Sequence, residues 1–289
     1  MAKCAQSRLA LIEAAQNPDG GWGYLPGKES WLEPTVLALL ALSDEPGART
    51  AFERGCRLIR LWEVPSGGWR ACSQVNEVHW ATSLVITLHS ANGVNDGSTG
   101  RAIDWLVATR GAETRAIVRL ARWLSPGTVE FDPSLSGWPW QAGTSSWVEP
   151  TAHALMALGR VARRSEHAGL EGRIAMGQRM LLDRRCRDGG WNYGNRRVLG
   201  ADLPSHPETT AMALMALDGH PEIRWGEMLD RAARLWRETS SPLARAWLGA
   251  CLLQYRGERP SSPEDSCDSR DMLVTAVEAI PWNRIMAVA

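Results

Sequence analysis

A unit made of two glycines, a tryptophan and a following apolar helix is written several times along this chain. A repeat limits the possible folds more than any single residue does. Asp19-Gly20-Gly21-Trp22-Gly23-Tyr24 is copied by Asp188-Gly189-Gly190-Trp191-Asn192-Tyr193. Ser30-Trp31-Leu32-Glu33-Pro34-Thr35 is copied by Ser146-Trp147-Val148-Glu149-Pro150-Thr151, and each is followed by an apolar run, Val36 to Leu42 and Ala154 to Leu158. Looser copies are Ser66-Gly67-Gly68-Trp69 with Trp80-Ala81-Thr82-Ser83-Leu84, Ser136-Gly137-Trp138-Pro139-Trp140, and His206-Pro207-Glu208-Thr209-Thr210 before Ala211 to Leu217. Trp22 to Glu33, Trp69 to Trp80 and Trp138 to Glu149 are each 11 residues apart.

The helices between these turns are of two kinds. Segments near 33–43, 78–90, 147–161, 206–217 and 241–255 are apolar on nearly every face, as enclosed helices are. Segments near 5–16, 48–62, 99–109, 169–184, 222–238 and 268–280 carry charge on one side. This alternation predicts an inner ring of apolar helices inside an outer ring of amphipathic ones, an all-α fold of the (α/α)6-toroid type, with no convincing strand alternation anywhere. The chain reads as one domain over 1–289. Its register is lost over about 110–135, where Arg115, Arg119 and Arg122 fall at helical spacing, and a polar loop covers about 256–268 before a last outer helix.

With 289 residues and 44% hydrophobic content the chain can build a large core, and its zero net charge argues against a nucleic-acid binder. There are fifteen tryptophans against two phenylalanines and three tyrosines, and most of the tryptophans sit in or beside the repeat. The six cysteines are scattered without a Cys-x-x-Cys pair, which predicts free thiols. The N-terminus lacks a secretory apolar segment, and no apolar run reaches the roughly 18–20 residues that span a bilayer. The expectation is a soluble, cytoplasmic protein whose contact with a membrane surface stays open, as does its oligomeric state. No phosphate loop, dinucleotide fingerprint or Ser-His-Asp grouping occurs, and no cofactor is implied.

Gln16-Asn17-Pro18-Asp19-Gly20-Gly21-Trp22-Gly23 resembles the QW motif of squalene-hopene and oxidosqualene cyclases. The wider pattern resembles the prenyltransferase and squalene-cyclase repeat superfamily from about residue 8 to 255. The resemblance implies a toroid of about twelve helices with a central cavity that takes an isoprenoid or other hydrophobic small molecule. It leaves function open, because the same ring serves terpene cyclases, protein prenyltransferase β-subunits, cobalamin carriers and complement thioester domains. The chain departs from the cyclases in three ways. The glutamine before the tryptophan is replaced by Glu63, Asp132 and Arg185 in the later copies. The chain is the size of one of their two helical domains. Their Asp-x-Asp-Asp proton-donor motif is absent.

Alkene protonation needs a carboxylic acid that keeps its proton beside aromatic faces that stabilise carbocations. Glu33, Glu149 and Glu208, each at the start of an inner helix, are the candidate catalytic acids, with His79 as a further acid or base. Trp31, Trp80, Trp147, Trp140 and His153 are the candidate substrate-binding residues. The competing role for the glutamates is helix capping, which would lower their pKa and spoil an acid. Trp22, Trp69, Trp138 and Trp191 read as turn-packing residues. Asp202 and His206 are weak metal candidates that lack the prenyltransferase zinc pattern, so no metal site is expected. Three functions follow: a cyclase or isomerase working by protonation, a non-catalytic toroid binding a small molecule or protein, and a zinc-dependent prenyltransferase β-like protein.

Overall fold

The computed structural model describes residues 2–116, 120, 130–164, 167–260 and 269–287. In chain order the helices are α1 (Ala2–Ala14), α2 (Leu32–Leu42), α3 (Arg49–Leu61), α4 (Thr82–Ala91), α5 (Gly97–Ala108), α6 (Val148–Ala162), α7 (Leu170–Asp183), α8 (Pro207–Ala216), α9 (Trp225–Glu238), α10 (Pro242–Arg256), α11 (Met272–Ala279) and the short α12 (Trp282–Ile285). Among the described residues, strands are limited to two two-residue ladders, Trp138–Pro139 with Ser146–Trp147 and Arg197–Val198 with Ala201–Asp202.

The apolar helices close into a ring. α2 packs on α4, α4 on α6, α6 on α8, α8 on α10, α10 on α11, and α11 returns to α2. Every residue of α2 except Glu33 is buried, because each of its faces meets either a ring neighbour, an outer helix or the ring interior. The amphipathic α3, α5, α7 and α9 lie outside, against α2, α4, α6 and the pair α8 and α10 respectively, while α1 covers α11 and α2.

α11 departs from the expected order. The sequence places 268–280 outside, but α11 is a member of the inner ring, with Met272, Val274, Thr275, Ala276 and Val277 buried. The charges that suggested an outer helix precede it: Asp271 is its N-cap, accepting from the backbone N–H groups of Leu273 and Val274. The helix proper is apolar except for the buried Thr275 and for Glu278, which pairs with Arg8 of α1 at 2.7 Å. Most of the arginine-bearing stretch near 114–124 and the loop at 261–268 lie outside the described residues.

One device fixes each turn to its inner helix. The backbone N–H of Trp22 donates to the Thr35 hydroxyl at 2.9 Å, Trp69 to Thr82 at 3.0 Å, Trp138 to Thr151 at 2.8 Å and Trp191 to Thr210 at 3.0 Å. In each case the hydroxyl donates back to the same tryptophan's carbonyl, at 3.2 to 3.5 Å. A buried N–H and a buried C=O are both satisfied by one side chain, as dry backbone groups require. The glycine ahead of the tryptophan is needed for contact with the next outer helix. Gly20 has φ +97°, and a Cβ there would come within 2.7 Å of the Arg54 carbonyl oxygen; Gly67, at φ +96°, meets the Arg101 carbonyl in the same way.

The position that holds glutamine in the first copy keeps its task while its residue type changes. Gln16 donates to the carbonyls of Gly20 and, on α3, Ala51. Arg185 donates to the Gly189 carbonyl, and Glu63 accepts from Ser98 on α5. Each ties a turn to itself or to the next outer helix.

Candidate functional site

The turns run from outer to inner helices, so all of them arrive at the N-terminal ends of the inner ring and collect at one mouth. There the chain leaves an open bowl of about 600 Å³, walled by His79, Trp80, Trp140, Gln141, Thr144, Trp147 and Tyr193. Trp80 and Trp140 meet edge to face at 4.8 Å and 85°, and His79 lies 5.5 Å from the Trp80 ring.

Below the bowl the ring interior is filled. Trp80 touches His153 at 5.4 Å, His153 touches Trp247 at 5.3 Å, and Trp247 touches Trp282 at 5.3 Å. This column crosses from the start of α4 through α6 to α10, on opposite sides of the ring. Its four members are 1–5% exposed. Within the ring, the space for a ligand is therefore the bowl at the mouth. Of the expected substrate-binding residues, Trp80, Trp140 and Trp147 line it. His153 belongs to the column beneath, and Trp31 packs on Tyr24 at 6.1 Å.

Glu33, Glu149 and Glu208 each occupy the second position of their helix, half-buried, on α2, α6 and α8. The caps are the residues two places earlier, Trp31, Trp147 and His206, and no side-chain capping bond is made at any of the three. The carboxylates instead meet tyrosine hydroxyls. Tyr24 donates to Glu33 at 2.8 Å and Tyr193 to Glu208 at 3.2 Å. Glu149 has no hydrogen-bond partner among the described residues and feels the charge of both other glutamates.

The electrostatic result is opposite to the one capping would give. Burial, reinforced by Glu33 and Glu208, pushes Glu149 up to about 8. Burial pushes Glu33 up to about 7, against the Tyr24 hydrogen bond that favours its ionised form. Of the two raised carboxyl groups, Glu149, which has no donor, keeps its proton more readily than Glu33. The tyrosines rise as well, first through burial and then through their glutamate partners.

The histidines go the other way. Burial lowers His79 to about 4 and His153 to about 3, so both are neutral imidazoles at ordinary pH. The Ala81 N–H points at His79 Nδ1 at 3.4 Å, which leaves the ring proton on Nε2. Asp202 is taken by guanidinium groups, Arg187 at 3.0 Å and Arg197 at 3.7 Å. The His206 ring rests on Tyr193 at 5.0 Å. Among the described residues, no three His, Cys, Asp or Glu side chains come together as metal ligands.

Tyr24 and Tyr193 were not singled out from the sequence, yet a signal for them is there. Both follow the turn tryptophan by two residues, and Trp140 holds the same place after Trp138. The repeat thus carries an aromatic residue to the mouth in three copies. In the second copy that place is Ala71, which is buried, and the 11-residue position is Trp80 in place of a glutamate.

No family model matches the chain. Two curated proteins share short segments with it. A drimenyl diphosphate synthase of Streptantibioticus cattleyicolor is 38% identical over 60 residues, 21% of this chain and 11% of that protein. A second drimenyl diphosphate synthase, from Streptomyces showdoensis, is 35% identical over 72 residues, 24% of this chain and 14% of that protein. Among solved structures, the type II terpene cyclase MstE from Scytonema, bound to its product merosterolic acid A, superposes over 99% of this chain and 79% of its own with a TM-score of 0.56 and 17% identity. The family 8 glycosyl hydrolase endoglucanase Cel10 of Klebsiella pneumoniae superposes over 96% of this chain and 98% of its own, with a TM-score of 0.55 and 14% identity. At such identities the superpositions establish a fold, and one that serves more than one chemistry. No helix among the described residues is long and apolar enough to cross a membrane. In fold, the chain is a terpene-cyclase-like α/α toroid.

Proposed function

We propose that the chain holds an isoprenoid in the tryptophan-walled bowl and that Glu149 starts its cyclisation or isomerisation by protonating an alkene. The observation that carries this reading is the state of Glu149: a carboxyl group that keeps its proton near neutral pH, two residues from a bowl wall made of indole faces. Transfer of its proton to an alkene carbon leaves a carbocation facing Trp80, Trp140 and Trp147, whose π-faces stabilise positive charge. The carboxylate left behind attracts the cation it has made. Loss of a proton to Glu33, Glu208 or the neutral His79 then ends the reaction, so one proton enters the substrate and one leaves. The short kinship with drimenyl diphosphate synthases and the isoprenoid-derived ligand of MstE support this substrate class.

The test is incubation of the protein with farnesyl- and geranylgeranyl-bearing substrates, with products read by gas chromatography and mass spectrometry. Wild-type protein is expected to give a cyclised or isomerised product, and Glu149→Gln is expected to lose it while keeping its helical spectrum.

A second reading is a ring that binds without reacting. The filled interior favours it, since the Trp80 to Trp282 column leaves only an open bowl with little shielding from water. Saturable binding of geranylgeraniol without product, weakened equally by Trp140→Ala and unaffected by Glu149→Gln, selects this reading.

A further inference from the structure

Trp69 is the exception among the four buried turn tryptophans. The indole N–H of Trp22 donates to the Ile12 carbonyl at 2.6 Å, that of Trp138 to Leu106 at 2.9 Å and that of Trp191 to Leu181 at 2.6 Å. Each bond closes the turn against the carbonyl end of an outer helix. Trp69 is as buried as the others, at 2% exposed, but its Nε1 has no acceptor. A buried N–H without a partner costs stability, so an orphan at a repeated position points to something else that accepts from it.

The orphan lies at a cleft. Trp69 forms part of a cavity of about 400 Å³ on the outside of the ring, between α3 and the segment that leads into α5. Phe52, Ile59, Leu88 and Val94 supply apolar wall, and the His89 ring stands edge-on to Trp69 at 5.4 Å and 88°. This volume lies within the usual range for small-molecule sites.

The charges in the cleft are unevenly engaged. Glu53 pairs with Arg49 at 2.9 Å, Glu63 pairs with Arg101 and accepts from Ser98, and Asp96 accepts from the backbone and hydroxyl of Thr99 at 2.9 Å. With the Thr99 hydroxyl proton directed at Asp96, its 2.7 Å contact with His89 is an Nδ1–H donation. The carboxylates are thus occupied. Arg57 and Arg60 also line the cleft and pair with no carboxylate among the described residues. Arg60 lies near enough to His89, beside Trp69, for its charge to be felt there. Burial pushes the Cys56 thiol up to about 11, so the cleft presents no thiolate.

We propose that this cleft binds a small amphiphilic carboxylate, with its head between Arg60 and Trp69 Nε1 and its apolar body along Phe52, Ile59 and Val94. The proposal is independent of the chemistry assigned to the bowl. A carboxylate supplies the acceptor that Trp69 lacks and the negative charge that the two guanidiniums lack, and charge-assisted bonds of this kind are among the stronger ones.

The experiment is a titration of the full chain, ¹⁵N-labelled at its tryptophan indoles, with octanoate and, separately, with octanol. Trp69→Phe identifies the Trp69 signal. The expected result is a saturable shift of that signal with octanoate, an affinity roughly tenfold weaker in Arg60→Ala, and a much weaker response to octanol. The proposal is overturned by octanoate leaving the Trp69 signal in place, which means that the ligand does not reach Nε1. It is equally overturned by octanol binding as well as octanoate, or by Arg60→Ala binding as well as wild type. Arg60 is exposed, so its removal leaves the fold intact and the comparison valid.

Discussion

Thr35 and Glu33 stand two residues apart on α2, as Thr151 and Glu149 do on α6 and Thr210 and Glu208 on α8, yet they belong to two different layers of the molecule. The threonine layer is closed: each hydroxyl both accepts from and donates to the backbone of one buried tryptophan. The glutamate layer, one half-turn nearer the mouth, is left unbalanced, with three carboxyl groups, two tyrosine donors and no counter-charge set against Glu149. The same repeat thus writes a satisfied joint and an unbalanced carboxyl group side by side. In a repeat protein, residues that recur and are satisfied mark architecture, and residues that recur and are left unsatisfied mark candidate chemistry.

Several substitutions press on this division. Trp191→Ala removes a fully buried indole from the closed layer and is expected to cost about 4 kcal/mol of stability in chemical denaturation. A much smaller loss would mean that the turns are not what holds the rings together. Thr151→Val keeps the shape but strands the Trp138 N–H, at about 2 kcal/mol. Trp22→Phe and Trp69→Phe each leave a cavity where a buried ring was, but Trp22→Phe also forfeits an indole bond and should cost about 1 kcal/mol more than Trp69→Phe. Equal losses at the two sites would show that Trp69 Nε1 is satisfied within the chain.

The mouth answers to pH. Glu33 and Glu149 bind protons more tightly in the folded chain, at about 7 and 8, than the ordinary value of 4.5. Their contribution is complete below that ordinary value and is lost as pH rises through 7 and 8. Denaturation midpoints should fall over this window, and Glu149→Gln, which cannot ionise, should flatten the fall. A Glu149→Gln profile that tracks wild type would place the acid elsewhere.

Much of this was legible because it is local. Gly-Gly-Trp and an apolar run 11 residues on require a turn and an enclosed helix, and the helix boundaries follow from Asn17-Pro18-Asp19 or Pro34 with little help from tertiary contacts. The inner place of α11 was not legible, since the polar stretch ahead of it masked an eight-residue apolar helix. Nor was the Trp80, His153, Trp247 and Trp282 column, whose members come from distant segments with no shared spacing. The glutamates were visible as positions, but their acidity was not. Whether a carboxylate near a helix start caps the helix or faces a neighbouring carboxylate depends on which helices the ring sets side by side.

The joint between α11 and α2 has a consequence for how the molecule is made. Every other contact in the inner ring joins segments that leave the ribosome in succession and can zip up in order. This one joins segments more than two hundred residues apart, with Arg8 and Glu278 fastened across the neighbouring α1 contact. Until α11 arrives, the growing protein is a horseshoe with an oily edge on α2 exposed at one end and on α10 at the other. Closure of the ring should therefore wait for α11 to dock on α2, and a chaperone that recognises the open ring should release it only when that gap is shut.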